Sequence, residues 1–181
     1  MMLNRQINDQ FTIRMLSGRD VQPLQTFVQE TKAETKRWIP LLQTLKTEAD
    51  CLQFIKHFLI LFSESRGIIA GVFHDKDLVG LVSFNEVDQT NKFASIGYVL
   101  KESYRGKGLM TNVLRSFITY GFSYYAISEV RLYIERKNKA SKKLATRFGF
   151  SYVKTEVHTD PINKVETSLE LYRLWKQDWQ T

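Results

Sequence analysis

The most informative residues for chemistry lie where an apolar run ending at Leu100 gives way to a short loop and then to an amphipathic stretch that continues to Tyr120. The loop carries two cations and two glycines, in the order Arg105, Gly106, Lys107, Gly108. Glycines at a loop-to-helix junction let the backbone approach a ligand, and the free amides of the first helical turn attract a phosphate. The stretch therefore predicts an anion-binding loop.

The spacing within the loop excludes the two commonest phosphate-binding motifs. It matches neither the Gly-x-Gly-x-x-Gly pattern of dinucleotide-binding proteins nor the Gly-x-x-x-x-Gly-Lys-Ser/Thr pattern of P-loop proteins. The pattern present is Arg105-x-x-Gly108-x-Met110. Taken alone, it also fits a surface turn before a helix, so its interpretation depends on the rest of the chain.

The other residues that could do chemistry predict no further site. His57, His74 and His158 fall on separate predicted elements without ligand spacing, so we expect no metal site. Cys51 is the single cysteine and lies on a predicted helix. A small buried apolar residue is a better interpretation of Cys51 than a nucleophile.

Hydrophobic periodicity predicts the elements that must position these residues. Strand-like patterns occupy residues 11–16, 67–73, 78–84, 93–100, 129–135, 150–156 and 166–174. Helical spacing runs from residue 21 to just before Trp38 and covers residues 47–63, 106–124 and 139–148. Tight turns within residues 67–100 predict an antiparallel meander, whereas the helix that follows residue 100 permits a parallel pair.

Composition limits the class of protein. The chain has 181 residues, 43% of them hydrophobic, which suits a single domain spanning residues 1–181. Without a signal-like N-terminus or a run of about 18 apolar residues, we expect a cytoplasmic protein with no membrane partner. The formal charge of +7 suits either a nucleic-acid partner or a ligand with several phosphates. Because no helix-turn-helix or aromatic-basic RNA motif is present, we expect no nucleic-acid partner.

Two motifs together resemble those of the GCN5-related N-acetyltransferases, the GNAT superfamily. The loop is similar to their Gln/Arg-x-x-Gly-x-Gly/Ala signature, although Met110 replaces its last small residue. The second motif is Asn138, followed eleven and twelve residues later by Gly149-Phe150. The order of the predicted elements agrees with the same superfamily. Three segments most resemble the RimL/RimJ type of ribosomal-protein N-acetyltransferase: Trp38-Ile39-Pro40, Ile96-Gly97-Tyr98 and Asn138-x-x-Ser141.

The resemblance implies a mixed α/β (α+β) GNAT fold. Its central sheet has about seven strands, mostly antiparallel, with a parallel fourth and fifth strand that splay apart, and about four helices flank it. The implied co-substrate is acetyl-CoA, without a metal. The residues implied to bind it are Tyr98, Val99, Leu100, Arg105, Gly106, Lys107, Gly108, Leu109, Met110, Thr111 and Asn138. The 3′-phosphate of acetyl-CoA is one possible partner of Lys139, Lys142 and Lys143. The alternative is that these lysines form an ordinary solvent-exposed helix face.

Acetyl transfer to an amine requires a neutral nucleophile, a polarised thioester carbonyl and a proton for the departing thiolate. In the family a backbone amide of the fourth strand, here near Val99 or Leu100, polarises the carbonyl. The tyrosine that many members carry seven residues after the asparagine is Ala145 here. The resemblance instead points to Ser141 as the catalytic acid, although a serine at a helix start also serves as a cap.

The sequence defines the general base and the acceptor site less well. Relatives often carry a glutamate two residues before the Gly-Tyr pair, where this chain has Ser95. Nearby substitutes, or ordinary surface charges, are Glu86, Asp88 and Glu135. The candidate acceptor-site residues are Trp38 and Phe27, each with burial in the core as its alternative, and Glu86 and His158.

The sequence thus favours an enzyme that transfers an acetyl group from acetyl-CoA to a protein N-terminal α-amine, by direct attack in a ternary complex. An α-amine with a pKa of about 7.7–8.0 is partly neutral without a base, unlike a lysine at about 10.4. A ribosomal protein is the leading acceptor. The alternatives are a small amine, such as a polyamine or an antibiotic, and a non-catalytic acetyl-CoA-binding module. The aromatic tail from Tyr172 to Trp179 packs either on its own sheet or on a partner in a homodimer.

Overall fold

The computed structural model describes residues 3–159 and 164–179, and within them every side chain except those of Arg37 and Trp38. The described strands are β1 Asn4–Asn8, β2 Phe11–Met15, β3 Ile68–His74, β4 Asp77–Asp88, β5 Phe93–Leu100, β6 Glu129–Glu135, β7 Ser151–Thr159 and β8 Glu166–Trp175. The described α-helices are α1 Val21–Glu30, α2 Lys32–Trp38, α3 Glu48–Ser63, α4 Leu109–Tyr124 and α5 Lys139–Arg147. Within this part of the chain, no helix is long and apolar enough to cross a membrane.

The described strands form one eight-stranded sheet in the order β1-β2-β3-β4-β5-β6-β8-β7. Every neighbouring pair is antiparallel except β5 and β6, which run parallel. These are the fourth and fifth strands of the sequence prediction. The mixed, mostly antiparallel sheet with one parallel pair is therefore confirmed.

Helices cover both faces of the sheet, and each face has its own apolar core. On one face α4 and α5 pack on the central strands, where Phe84, Val113 and Phe117 are fully buried. Because Val113 and Phe117 lie one helical turn apart, the spacing that predicted α4 also defines its buried face. On the other face α1 and α3 bury Phe27 and Phe73 against β3 and β4.

The elements differ from the predicted ones in three places. β1 is an additional strand: its residues are mostly polar, and its pairing with β2, rather than a buried face, holds it. The first predicted helix is two helices, since the chain leaves the helical conformation at Thr31, whose hydroxyl donates to the Phe27 carbonyl at 2.7 Å. α4 begins at Leu109 rather than Gly106, because Gly106 and Gly108 have positive φ angles of 74° and 78°.

Candidate active site

The parallel strands β5 and β6 separate after a short ladder. They pair at three positions, the last of them Ser95 opposite Arg131, in a region that is fully described. From Ile96 to Leu100, β5 has β4 on one side and a gap on the other. A gap of this kind leaves backbone amides and carbonyls without a strand partner, so they can bond to a ligand.

The direction of the backbone decides which groups face the gap. The Lys101 amide donates to the Val79 carbonyl, on the β4 side, at 2.9 Å. Because backbone groups alternate in direction along a strand, those of Val99 also face β4, and those of Tyr98 and Leu100 face the gap. Tyr98, Val99 and Leu100 were all expected to bind the co-substrate. Of the three, only Tyr98 and Leu100 have backbone groups that face the gap.

The predicted anion-binding loop ends at a helix N-terminus. Gly108 caps α4 in the left-handed conformation, and its carbonyl accepts the Asn112 amide at 3.2 Å. The amides of residues 109–111 precede this bond and have no partner within the helix. A Cβ atom added at Gly106 or Gly108 would meet nothing within 4 Å, so the positive φ angle, and not crowding, favours glycine.

A cleft of about 680 Å³ opens between this loop, the end of β5 and the start of α5. Its described lining includes Ser141 and every predicted cofactor-binding residue except Lys107: Tyr98, Val99, Leu100, Arg105, Gly106, Gly108, Leu109, Met110, Thr111 and Asn138. Lys107 is exposed, and its Nζ donates to the Ser103 carbonyl at 3.0 Å. Met110, which departs from the signature, also packs against the core of α4 and the sheet.

The described lining of the cleft contains five cations, four of them on α5 or just before it. They are Arg105, Lys137, Lys139, Lys143 and Arg147, and among the described lining residues Glu34 is the only acidic one. Lys142, which was also a candidate for the 3′-phosphate, instead forms an ion pair with Glu170 at 2.8 Å. Sequence reasoning missed Lys137 and Arg147. The spacing of positions 139, 143 and 147 would have revealed Arg147, because residues four apart share a helix face.

Arg105 connects three parts of the site. Its Nε donates to the Leu100 carbonyl at 2.8 Å, and its guanidinium also pairs with Glu34 on α2. A second ion pair, between Lys101 just after β5 and Glu30 at the end of α1, joins the same side of the site to the neighbouring helix. The loop is therefore fixed both to the end of β5 and to the segment that covers it.

Ser141 lies between two predicted site residues. Its Oγ is 2.6 Å from the Tyr98 hydroxyl, and its amide donates to Oδ1 of Asn138 at 3.0 Å. Asn138 is thus the N-cap of α5, and the helix start holds Ser141 against β5. Burial raises the pKa of the Tyr98 hydroxyl, although its bond to Ser141 acts in the opposite direction. Ala145, one turn further along, is buried in the core.

Three of the residues proposed for the acceptor site have described side chains, and these three are not brought together at the cleft. Glu86 is exposed on β4, opposite Ser95, and is absent from the described lining of the cleft. Phe27 is fully buried in the core beneath α1, so of its two alternatives the structure supports burial and not a place at the acceptor entrance. His158 lies within β7, and its ring contacts Tyr133. The side chain of Trp38 lies outside the described part of the chain.

A comparison with known families accounts for this geometry. The family model described as an acetyltransferase (GNAT) domain matches residues 10–151. The chain belongs to this family. The resemblance inferred from Arg105, Gly108 and Asn138 is thereby confirmed, and the protein is a GNAT acetyltransferase.

Two relatives of this acetyltransferase carry ribosomal names. "Putative ribosomal N-acetyltransferase YdaF" of Bacillus subtilis is 26% identical over 181 residues, which cover 99% of this chain and 98% of the relative. A ribosomal-protein-serine acetyltransferase of Escherichia coli is 24% identical over 147 residues, which cover 80% of each chain.

A solved structure shares the fold of this acetyltransferase. It is RimL, a ribosomal alpha-N-protein acetyltransferase in complex with coenzyme A, and it superimposes with a TM-score of 0.88. The superposition covers 97% of this chain and 99% of RimL at 20% sequence identity. At this identity the likeness concerns the fold alone.

Proposed function

We propose that this acetyltransferase holds acetyl-CoA in the cleft beside β5 and transfers its acetyl group to the α-amine at a protein N-terminus. The observation that carries the proposal is the cleft, which joins an unpaired strand edge to a helix N-terminus and to a cationic helix face. A CoA molecule has the matching parts, namely a peptide-like pantetheine arm, a pyrophosphate and a 3′-phosphate.

The phosphates fit the positive end of the cleft. The amides of residues 109–111 would receive the pyrophosphate, because a helix N-terminus combines free N–H groups with a favourable dipole. Lys139, Lys143 and Arg147 would face the 3′-phosphate, since they line the same cleft from one side of α5. Lys107 adds charge to the loop without lining the cleft.

The other end of the cleft suits the pantetheine arm and the chemistry. The backbone groups of Tyr98 and Leu100 that face the gap would pair with the amides of the arm, as a strand partner does. The Leu100 carbonyl is already bonded to Arg105, so its amide is the preferred donor to the acetyl carbonyl oxygen. Asn138 uses Oδ1 for its helix cap, which leaves its Nδ2 hydrogens for the arm.

Bound acetyl-CoA supplies a thioester with a thiolate leaving group. Ser141 lines the cleft at the start of α5 and is the candidate to protonate that thiolate. A neutral amine attacks the carbonyl directly in a ternary complex, with no acetylated enzyme.

The choice of an α-amine rests on the missing carboxylate and on the names of the relatives. Ser95 stands where a glutamate would serve as a base, and it is buried. An α-amine, with a pKa of about 7.7–8.0, needs less help to become neutral than a lysine at about 10.4. Both relatives described above are named for ribosomal proteins, which supports a ribosomal protein N-terminus as acceptor.

An acceptor panel with acetyl-CoA tests the proposed function. Free thiol and product mass would be measured with serine- and alanine-initiated peptides, with the same peptides blocked at the α-amine but carrying a lysine, and with spermidine. We expect acetylation of the free α-amine peptides and none of the blocked ones. Turnover of spermidine alone would assign the small-amine alternative, and binding of acetyl-CoA without thiol release would assign the non-catalytic one.

Charge reversal tests the cofactor site separately. Lys143→Glu should weaken binding of acetyl-CoA about tenfold or more, because it replaces an attraction to phosphate with a repulsion. Lys56→Glu, on the exposed side of α3, is the matched control for a change of the same charge outside the cleft. Equal affinities for the two variants would place the phosphates elsewhere.

A further inference from the structure

The hydroxyls of Tyr98 and Ser141 form a pair inside the cleft. Their oxygens are 2.6 Å apart, although the residues lie 43 positions apart in the chain, on β5 and α5. Both line the cleft. A bond this short between two hydroxyls fixes one proton between them and leaves the other hydroxyl proton free to point elsewhere.

The relative acidity of the two hydroxyls determines which of them donates in this bond during turnover. An aliphatic hydroxyl is a poor acid, whereas the pKa of a phenol, about 10 in water and raised by burial at Tyr98, lies nearer to the pKa of a thiol, about 8.5. When the Tyr98 hydroxyl donates to Ser141, the Ser141 proton can point into the cleft. α5 contains no tyrosine of its own, so Tyr98 is the phenol that reaches its first turn.

We infer that Tyr98 is a positioning residue and proton source for the departing thiolate, and that it acts through Ser141. The inference rests on the proposed function, since it requires the thiol end of acetyl-CoA to lie beside Ser141. It extends the role of Tyr98 from its backbone to its side chain.

The proton balance of the step is complete. The bond between the amine nitrogen and the acetyl carbon forms, and the bond between that carbon and sulfur breaks. Sulfur takes the proton of Ser141, and Ser141 takes the proton of Tyr98. The new amide loses one proton to water, and Tyr98 regains one from water. Burial raises the pKa of Tyr98, which favours the protonated phenol between turnovers.

The acidity of bound CoA tests the relay without any acceptor. The thiolate of CoA bound to the wild-type protein would be titrated by its ultraviolet absorbance and compared with Tyr98→Phe. A donor network that stabilises the thiolate lowers the pKa of the bound thiol, and we expect Tyr98→Phe to raise it by about one unit. Tyr152→Phe is the control, because Tyr152 is an exposed tyrosine on β7 whose hydroxyl also meets another hydroxyl, that of Thr155 at 3.1 Å.

Kinetics of the same variants provide the second test. We expect Tyr98→Phe to lower kcat about tenfold or more, with little change in the KM for acetyl-CoA, and to alter the alkaline limb of the pH profile. The kcat of the double variant Tyr98→Phe/Ser141→Ala should equal that of Ser141→Ala alone, because the two residues act as one unit.

Two outcomes would overturn the relay. One is an equal pKa of the bound thiol in the wild-type protein and Tyr98→Phe, which leaves the cofactor site intact but removes the role of Tyr98. The other is a double variant whose loss in kcat is the product of the two single losses. If CoA does not bind the wild-type protein at all, the proposed function fails, and the relay fails with it.

Discussion

The Nε atom of Arg105 donates to the carbonyl oxygen of Leu100 at 2.8 Å. This bond joins the first residue of the loop signature to the last residue of β5. The bond occupies the Leu100 carbonyl, which faces the gap, and does not involve the Leu100 amide. Arg105 therefore shapes the polarity of the gap in addition to carrying a charge.

Arg105→Lys keeps the charge but loses this arrangement, because one ammonium group cannot reproduce the planar fork that bonds both Leu100 and Glu34. We expect the affinity for acetyl-CoA, measured by isothermal titration calorimetry, to fall about tenfold, which corresponds to about 1.4 kcal/mol. Arg66→Lys, at an exposed arginine paired with Glu64, is the control. Wild-type affinity in Arg105→Lys would show that charge alone matters.

Gly108→Ala should destabilise the start of α4 through backbone strain alone. Gly108 has a φ of 78°, and an added Cβ atom would meet nothing within 4 Å. The left-handed conformation costs a residue with a Cβ atom about 1–2 kcal/mol, so the free energy of unfolding measured in urea should fall by this amount. Gly18→Ala is the matched control, since Gly18 has equal space without a positive φ. A similar loss in both variants would contradict this account.

Asp20 should make stability depend on pH. It is 2% exposed. Burial alone would raise its pKa, but hydrogen bonds from Arg14, at 2.6 and 2.8 Å, and from Ser17 outweigh burial and lower the pKa. Since the folded-state pKa lies below the unfolded value of about 3.9, the stabilisation is present above that pH and is lost as the pH falls through the folded-state pKa.

The test of Asp20 is the free energy of unfolding of Asp20→Asn between pH 7 and pH 3. We expect it to lie about 2–3 kcal/mol below the wild-type value at pH 7, with the difference narrowing below about pH 4. Asp75→Asn, exposed in the turn after β3, should follow the wild-type curve. A difference between Asp20→Asn and wild type that stays constant with pH would contradict the assignment.

Trp179 should contribute to stability from the end of the described chain. Its ring stacks on Phe148 with centroids 5.7 Å apart, and its Nε1 donates to Thr119 at 3.2 Å. The end of the aromatic tail thus packs on its own core. We expect Trp179→Ala to lower the free energy of unfolding by about 2–3 kcal/mol, less than for a fully buried tryptophan. Trp175→Ala, at a residue that is 43% exposed, should cost clearly less.

Much of the fold could be predicted because its elements carry their own signals. The spacing of Val113 and Phe117 defined α4, and Gly149, with a φ of 82°, ended α5 as expected. β1 carried no such signal, since an edge strand of mostly polar residues is held by pairing and not by burial. The break at Thr31, whose hydroxyl donates to the Phe27 carbonyl, falls within a helical pattern that has no glycine or proline near it to mark the break.

The residues that line the cleft were largely predictable from local motifs, whereas the contacts between distant segments were not. The loop and the Asn138 motif are local patterns, so their spacing in the sequence is also their spacing in the structure. The Tyr98–Ser141 bond and the Arg105–Glu34 pair join residues 43 and 71 positions apart. Such contacts follow from the packing of α5 and α2 on β5, which no single segment of the sequence encodes.

A crystal structure with CoA bound would locate each part of the cofactor. We expect the pyrophosphate on the amides of residues 109–111, the pantetheine arm along the gap side of β5, and the sulfur within hydrogen-bonding distance of the Ser141 hydroxyl. CoA bound outside this cleft, or a sulfur atom turned away from both Ser141 and Tyr98, would contradict this placement.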